Sequence, residues 1–216
     1  LVEAMHTTIA AGPTSIGGPI VGPAITGITA VVYQSIRGVT RAVGSGLDIA
    51  LGTLAPALRD MSSPPGREAL VAALNGVLGD YLAGTGNPLA LTMSLRRDGR
   101  RLELTREALA AAIPAPSAKI VVLLHGLCMN DLQWNRRGHD HGACLAQDLG
   151  FTPMYLHYNT GLHISSNGQS LAGHLETLAA AWPMPIDEIA IVAHSMGGLV
   201  ARSAFHYGTL AGHAWP

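Results

Sequence analysis

Two runs, "KIVVLL" (119–124) and "EIAIVA" (188–193), are apolar at nearly every position, and "TPMYLHY" (152–158) reads as a strand between them. A strand that is apolar on both sides is buried on both sides, and such strands belong to a parallel sheet joined by helical crossovers. The stretches between them have helical spacing. "HGACLAQDLG" is a short helix, "NGQSLAGHLETLAAAW" turns Leu171, Leu175 and Leu178 inward, and "GGLVARSAFHY" is a final helix. Right-handed strand–helix–strand units result from this order. The fold class is therefore α/β.

Before Pro114 the pattern is mainly helical. Ile25, Ile28, Val32, Ile36, Val39, Val43 and Leu47 recur at three- and four-residue steps, one apolar stripe on a long helix. "SSPPG" ends that element and starts "REALVAALNGVLGDYLA", where Leu70, Leu74, Val77, Leu78 and Tyr81 share a face. Together they read as a helical hairpin. Their apolar faces either pack on the rest of the protein, the favoured reading, or make a peripheral membrane contact. The uncharged stretch Ile16 to Ile36 is broken by six Gly and Pro residues, which argues against a membrane span. "LALTMSL" alternates with period two, Asp98-Gly99 signals a hairpin, and "LEL" returns as a second strand. "TREALAAAIP" is a short helix. The expected division is a helical region over 1–86 and an α/β domain over 87–216.

Composition narrows the function classes. With 48% hydrophobic and 12% charged residues the chain is a packed protein rather than a disordered one. A net charge of −1, without a basic stripe, excludes a nucleic-acid partner. Cys128 and Cys144 are too few for a disulfide framework. No leader is visible before Leu1, so a cytoplasmic setting is expected, with an N-terminus that is itself incomplete.

Ser195 stands where "EIAIVA" runs into "GGLVARSAFHY" with no loop between them. So tight a strand-to-helix corner brings the residues two before and two after the serine together, and both are small here, Ala193 and Gly197. The corner lifts the hydroxyl above the sheet at a helix N-terminus. There the N–H of Met196 and the helix dipole favour an oxyanion. His125-Gly126 ends an earlier strand in "VVLLHGLCMND", and the next loop is where a second oxyanion N–H belongs, that of Leu127.

With these two motifs, Ala118 to Tyr207 resembles the α/β-hydrolase superfamily and its bacterial esterase/lipase branch. "YLHYNTGLHISSNGQSLAGHLE" is similar to GPI-inositol-deacylase-like sequences. The resemblance implies a serine hydrolase acting on small-molecule or lipid carboxylic esters, without metal or organic cofactor. It makes Ser195 the nucleophile and the N–H groups of Leu127 and Met196 the oxyanion hole, with His125, Gly126, His194 and Gly197 supporting. Ala193 stands where that family more often has glycine.

A serine nucleophile needs a histidine and an acid, which in this family come after it in the chain. After Ser195 there is no Asp or Glu, and only His206 and His213. His206 lies about 16 Å along the helix at 1.5 Å per residue, out of reach. His194 is adjacent to the serine and points away. The expectation is an incomplete α/β-hydrolase sheet whose acid and histidine lie beyond Pro216. The alternative is an inactive scaffold that binds a partner or a membrane surface, and acyl transfer would use the same residues as hydrolysis. His139, Asp140 and His141, with His157 and His163, could ligate a metal but read better as a polar loop at the site's mouth. Cys128 reads as a buried small side chain, and Trp134, Tyr155 and Tyr158 as core or acyl-pocket lining.

Overall fold

The computed structural model describes residues 64–216. The stripe over 25–47 and the uncharged stretch over 16–36 lie outside the described residues. The first element, α1 (Pro64–Gly84), bends at Leu78, where φ is −123° and ψ is 16°. The bend falls between Gly76 and Gly79, residues that hold a helix weakly. Its buried stripe is Val71, Leu74, Leu78 and Leu82, closed by Leu89. Leu70, Val77 and Tyr81, expected on the inward face, pack at its margin instead. The shift arises because α1 is buried on two sides. One meets the segment 87–91, and the other meets loops of the sheet, with Ala72 and Ala73 inside as well.

The expected strand over 89–95 forms only at its end, as β1 (Ser94–Arg97). Asn75 explains the loss. Its side chain donates to the carbonyl of Leu89 at 2.7 Å and accepts from the N–H of Leu91 at 2.8 Å. Those groups are thereby withdrawn from any ladder. Asp98 and Gly99, with φ of 51° and 71°, turn the chain into β2 (Arg100–Arg101). Positive φ at both turn positions matches the twist of the flanking strands. The returning strand is thus Arg100–Arg101 rather than the expected "LEL", of which only Leu102 joins the pairing, donating to the Leu95 carbonyl at 2.8 Å. Next comes α2 (Arg106–Ala112), capped by the hydroxyl of Thr105, which accepts from the Ala108 N–H.

Three mutually parallel strands follow, β3 (Lys119–Leu124), β6 (Thr152–His157) and β7 (Glu188–Ala193). β7, expected to be buried on both faces, is half-exposed because it lies at the edge of the sheet. Between β3 and β6 lie a 3-10 turn over Asp131–Trp134, a small hairpin of β4 (Asn135–Arg136) and β5 (His139–Asp140), and α3 (His141–Leu149). The stretch expected as a plain polar loop thus contains two short strands. The other helices are α4 (Ile164–Ala181) and α5 (Met196–Ala211).

The main sheet has the order β2-β1-β6-β3-β7. β3 is parallel to both neighbours, with Leu124 level with Leu156 on one side and Ala193 on the other. β1 runs antiparallel to β6, Ser94 facing His157. The sheet is therefore mixed rather than wholly parallel, because the two-residue turn of the hairpin can only return antiparallel. Ile120, Val122, Leu124, Met154 and Leu156 pack on Leu171, Leu175, Leu178, Val200 and Ala204 of α4 and α5. Val121 and Leu123 are equally buried on the other face. No helix among the described residues is long and apolar enough to cross a membrane.

Candidate functional site

β7 passes into α5 with Ser195 at the corner. Ser195 has φ 53° and ψ −122°, a conformation that costs a side-chain-bearing residue about 1–3 kcal/mol. Gly197 shows why the corner needs glycine. A Cβ there would lie 2.7 Å from the Leu124 carbonyl oxygen and 2.8 Å from that of His125. The N–H of His194 donates to the Leu124 carbonyl at 2.9 Å, carrying the sheet ladder up to the corner. Ser195 is exposed, its side chain standing at the N-terminus of α5. The first N–H groups of a helix have no intrahelical acceptor, and that of Met196 is one of them.

The loop after β3 comes to the same place. A Cβ on Gly126 would sit 3.0 Å from Nδ1 of His194 and 3.1 Å from Cβ of Ser195. A side chain at Gly126 would therefore separate the two loops. His125 is buried beneath, its ring stacked on Tyr158 with centroids 4.5 Å apart. Its Nδ1 lies 3.1 Å from the Gly126 carbonyl oxygen, and since that oxygen only accepts, Nδ1 carries the proton. Burial holds His125 down, from 6.5 to about 4, so it is neutral at ordinary pH. The Tyr158 hydroxyl donates to the His125 carbonyl at 2.8 Å. Leu127 comes next with its side chain half-exposed, and Cys128 after it is buried with φ 59°. Burial pushes the Cys128 thiol up to about 11, which leaves no thiolate to act as a nucleophile.

A second constellation has no motif in the sequence to announce it. His157 Nδ1 donates to Asp131 Oδ1 at 2.8 Å, both side chains being 2% exposed. Arg96 Nη1 reaches Asp131 at 3.3 Å and Glu68 at 3.2 Å. Burial alone would raise the Asp131 carboxyl, but the His157 hydrogen bond and the charges of His157 and Arg96 outweigh it and hold it low. Ligand atoms of Glu68, Asp131 and His157 lie within 4.8 Å of one another, a spacing that can suit a metal. The Arg96 guanidinium, however, already supplies the cation that both carboxylates face. Strand β3 stands between β6, which carries His157, and β7, which leads to Ser195. The sequence holds one signal for this group, an ionisable residue, His157, closing an apolar strand.

The remaining histidines do other work. Among the described residues no hydrogen bond joins Ser195 to a histidine. His206 is exposed along α5, and His213 lies past the helix's far end, roughly 24 Å from Ser195 for 16 residues. Asp140 caps α3 by accepting from the Ala143 N–H at 2.8 Å, and it also accepts from the Tyr155 hydroxyl. His141 bonds the Trp134 carbonyl at 3.0 Å, and His139 lies 3.6 Å from Cys144 Sγ. His157 is not near them. Two clefts among the described residues, of about 350 and 370 Å³, border α5 near Leu210 and α4 near Trp182, and neither is lined by Ser195.

Residues 115–214 match the model of a family described as PGAP1-like alpha/beta domain. The match begins in the linker before β3 and leaves out α1 and the β1–β2 hairpin. No curated protein and no solved structure matches the chain.

Proposed function

We propose, from the match of residues 115–214 to a PGAP1-like alpha/beta domain, that the protein is a serine hydrolase of carboxylic esters. The observation that carries the reading is the strained corner at Ser195, with φ 53° on a side-chain-bearing residue and the Gly126 loop against it. Strain of this kind persists where a side chain must be presented. The Ser195 hydroxyl attacks the ester carbonyl and passes its proton to a base. The N–H groups of Leu127 and Met196 hold the negative oxygen of the tetrahedral intermediate. Collapse expels the alcohol, which takes the proton from the base. Water, activated by the same base, then releases the acid and restores Ser195.

In this reading the base and its acid lie outside the described residues, in keeping with the order serine, acid, histidine that the family follows along the chain. Exposed Leu127 in the loop after β3 and Leu199 in the first turn of α5 support an apolar ester, lipid included. Fluorophosphonate labelling of the full-length protein tests the reading. An activated Ser195 is labelled and Ser195→Ala is not. Ester hydrolysis that survives Ser195→Ala would remove the assignment, and an unlabelled wild type would favour a scaffold that has kept the corner without the chemistry.

A further inference from the structure

The N–H of Leu127 is useful to an oxyanion only if its direction is fixed, and the Leu127 side chain cannot fix it. That side chain is 51% exposed. The backbone must be held through the two peptide planes on either side. In the first, between Gly126 and Leu127, the carbonyl accepts from His125 Nδ1 at 3.1 Å and from the Met129 N–H at 3.2 Å. A trans peptide points its N–H opposite to its carbonyl, so the Leu127 N–H is turned away from both donors. In the second plane, between Leu127 and Cys128, the N–H of Cys128 donates to Oγ1 of Thr160 at 3.1 Å. Cys128 also has φ 59°, which an unrestrained cysteine would leave.

Thr160 is buried, on the turn after β6. That turn is fastened to α1. Asn159 Nδ2 donates to the Gly79 carbonyl at 2.9 Å, and Asn159 Oδ1 accepts from the Gly161 N–H at 3.0 Å. Gly76 of α1 lies against Cys128, where a Cβ would be 2.9 Å from Cys128 Cα and 3.0 Å from its nitrogen. Thr160 therefore holds the second plane, with α1 packed closely against Cys128.

We propose that Thr160 is a positioning residue for the oxyanion hole, its hydroxyl fixing the Leu127–Cys128 peptide against Gly76 of α1. The inference rests on the proposed roles of Ser195 and Leu127. It makes α1, which lies outside the matched segment, a working part of the site.

Thr160→Val keeps the shape and removes the acceptor, and Thr160→Ser restores it. Two measurements on the full-length protein decide the matter. The first is hydrogen exchange at the Cys128 amide, which loses at least about tenfold of its protection in Thr160→Val and regains it in Thr160→Ser. The second is hydrolysis of a p-nitrophenyl ester. There kcat falls about 10- to 100-fold in Thr160→Val, as expected for a misplaced oxyanion donor, with KM within about twofold, and returns in Thr160→Ser. If Thr160→Val does not fold, Thr160→Ala removes the same acceptor without bulk. Unchanged exchange overturns the inference, and so does faster exchange with unchanged kcat. A wild type inert to esters and to fluorophosphonate sinks the reading of Ser195 itself, and with it any catalytic role for Thr160, whereas the exchange result separately decides whether Thr160 holds the loop.

Discussion

Ser195 keeps φ 53° and ψ −122° although it carries a side chain. Glycine adopts such angles readily, and alanine does not. Ser195→Gly is therefore expected to be more stable than Ser195→Ala by about 1 kcal/mol, after the greater entropy of the unfolded glycine chain is set against the relieved strain. Urea unfolding of the two variants checks this, and equal stability would mean the corner is relaxed. His125 makes a second prediction. Its pKa falls on folding, from 6.5 to about 4, because burial disfavours the charged ring. The unfolded chain thus binds the proton first as pH falls. Stability from this group is whole above pH 6.5, declines down to about pH 4, and is level below. At roughly 1.4 kcal/mol per pKa unit the loss is at most about 3–4 kcal/mol. The difference in unfolding free energy between wild type and His125→Gln, measured from about pH 7 to about pH 4, should shrink by that order. A flat difference would contradict the burial argument. Ser195, Gly197 and the His125-Gly126 pair are legible in the sequence because each is a local pattern where a strand meets its next element. Asp131 and His157 are not, since nothing near either residue names its partner.

Among the elements, β3 and β7 are readable from continuous apolar runs and the helices α2 to α5 from helical spacing, although β7 lies half-exposed at the sheet edge. α1 is readable as a helix but not by its buried face, which is decided by the surface it docks on. The strand expected over 89–95 fails for a single side chain. Asn75, fully buried, donates to the carbonyls of Val71 and Leu89 and accepts from the Leu91 N–H. It substitutes for a sheet partner and pins 87–91 to α1. Asn75→Leu leaves the Leu89 carbonyl and the Leu91 N–H without these partners in a buried place. At about 1–3 kcal/mol for each stranded group, it should cost about 3 kcal/mol. The urea midpoint measures it, and a loss under about 1 kcal/mol would show that water reaches those groups.

At the scale of the molecule, Arg96 joins elements that are far apart in the chain. It links Glu68 on α1 to Asp131 in the turn after β3, and His157 on β6 completes the group. Arg96→Met removes the guanidinium that the two carboxylates share. Because Arg96 and Glu68 are partly exposed, the cost is set below the full value for a buried pair, at about 2–3 kcal/mol. It should shrink when Asp131→Asn is added, and a double-mutant cycle by chemical unfolding reads the coupling. Additive losses would mean that the two charges do not feel each other. The general architecture, strands with helical crossovers, is legible from hydrophobic pattern. The place of the hairpin beside β6, and the docking of α1, are not, because both depend on pairings between distant segments.

The seat of α1 also sets an order of events during synthesis. α1 leaves the ribosome before Cys128, Asn159 and Gly161, the residues it finally covers. Translation adds about 5–20 residues each second, so the helix waits several seconds for its seat. Its company meanwhile is the nearby segment 87–91, whose Leu89 closes over Val71, Leu74, Leu78 and Leu82. That small cluster is local in sequence, residues 71–89, and needs none of the strands to close.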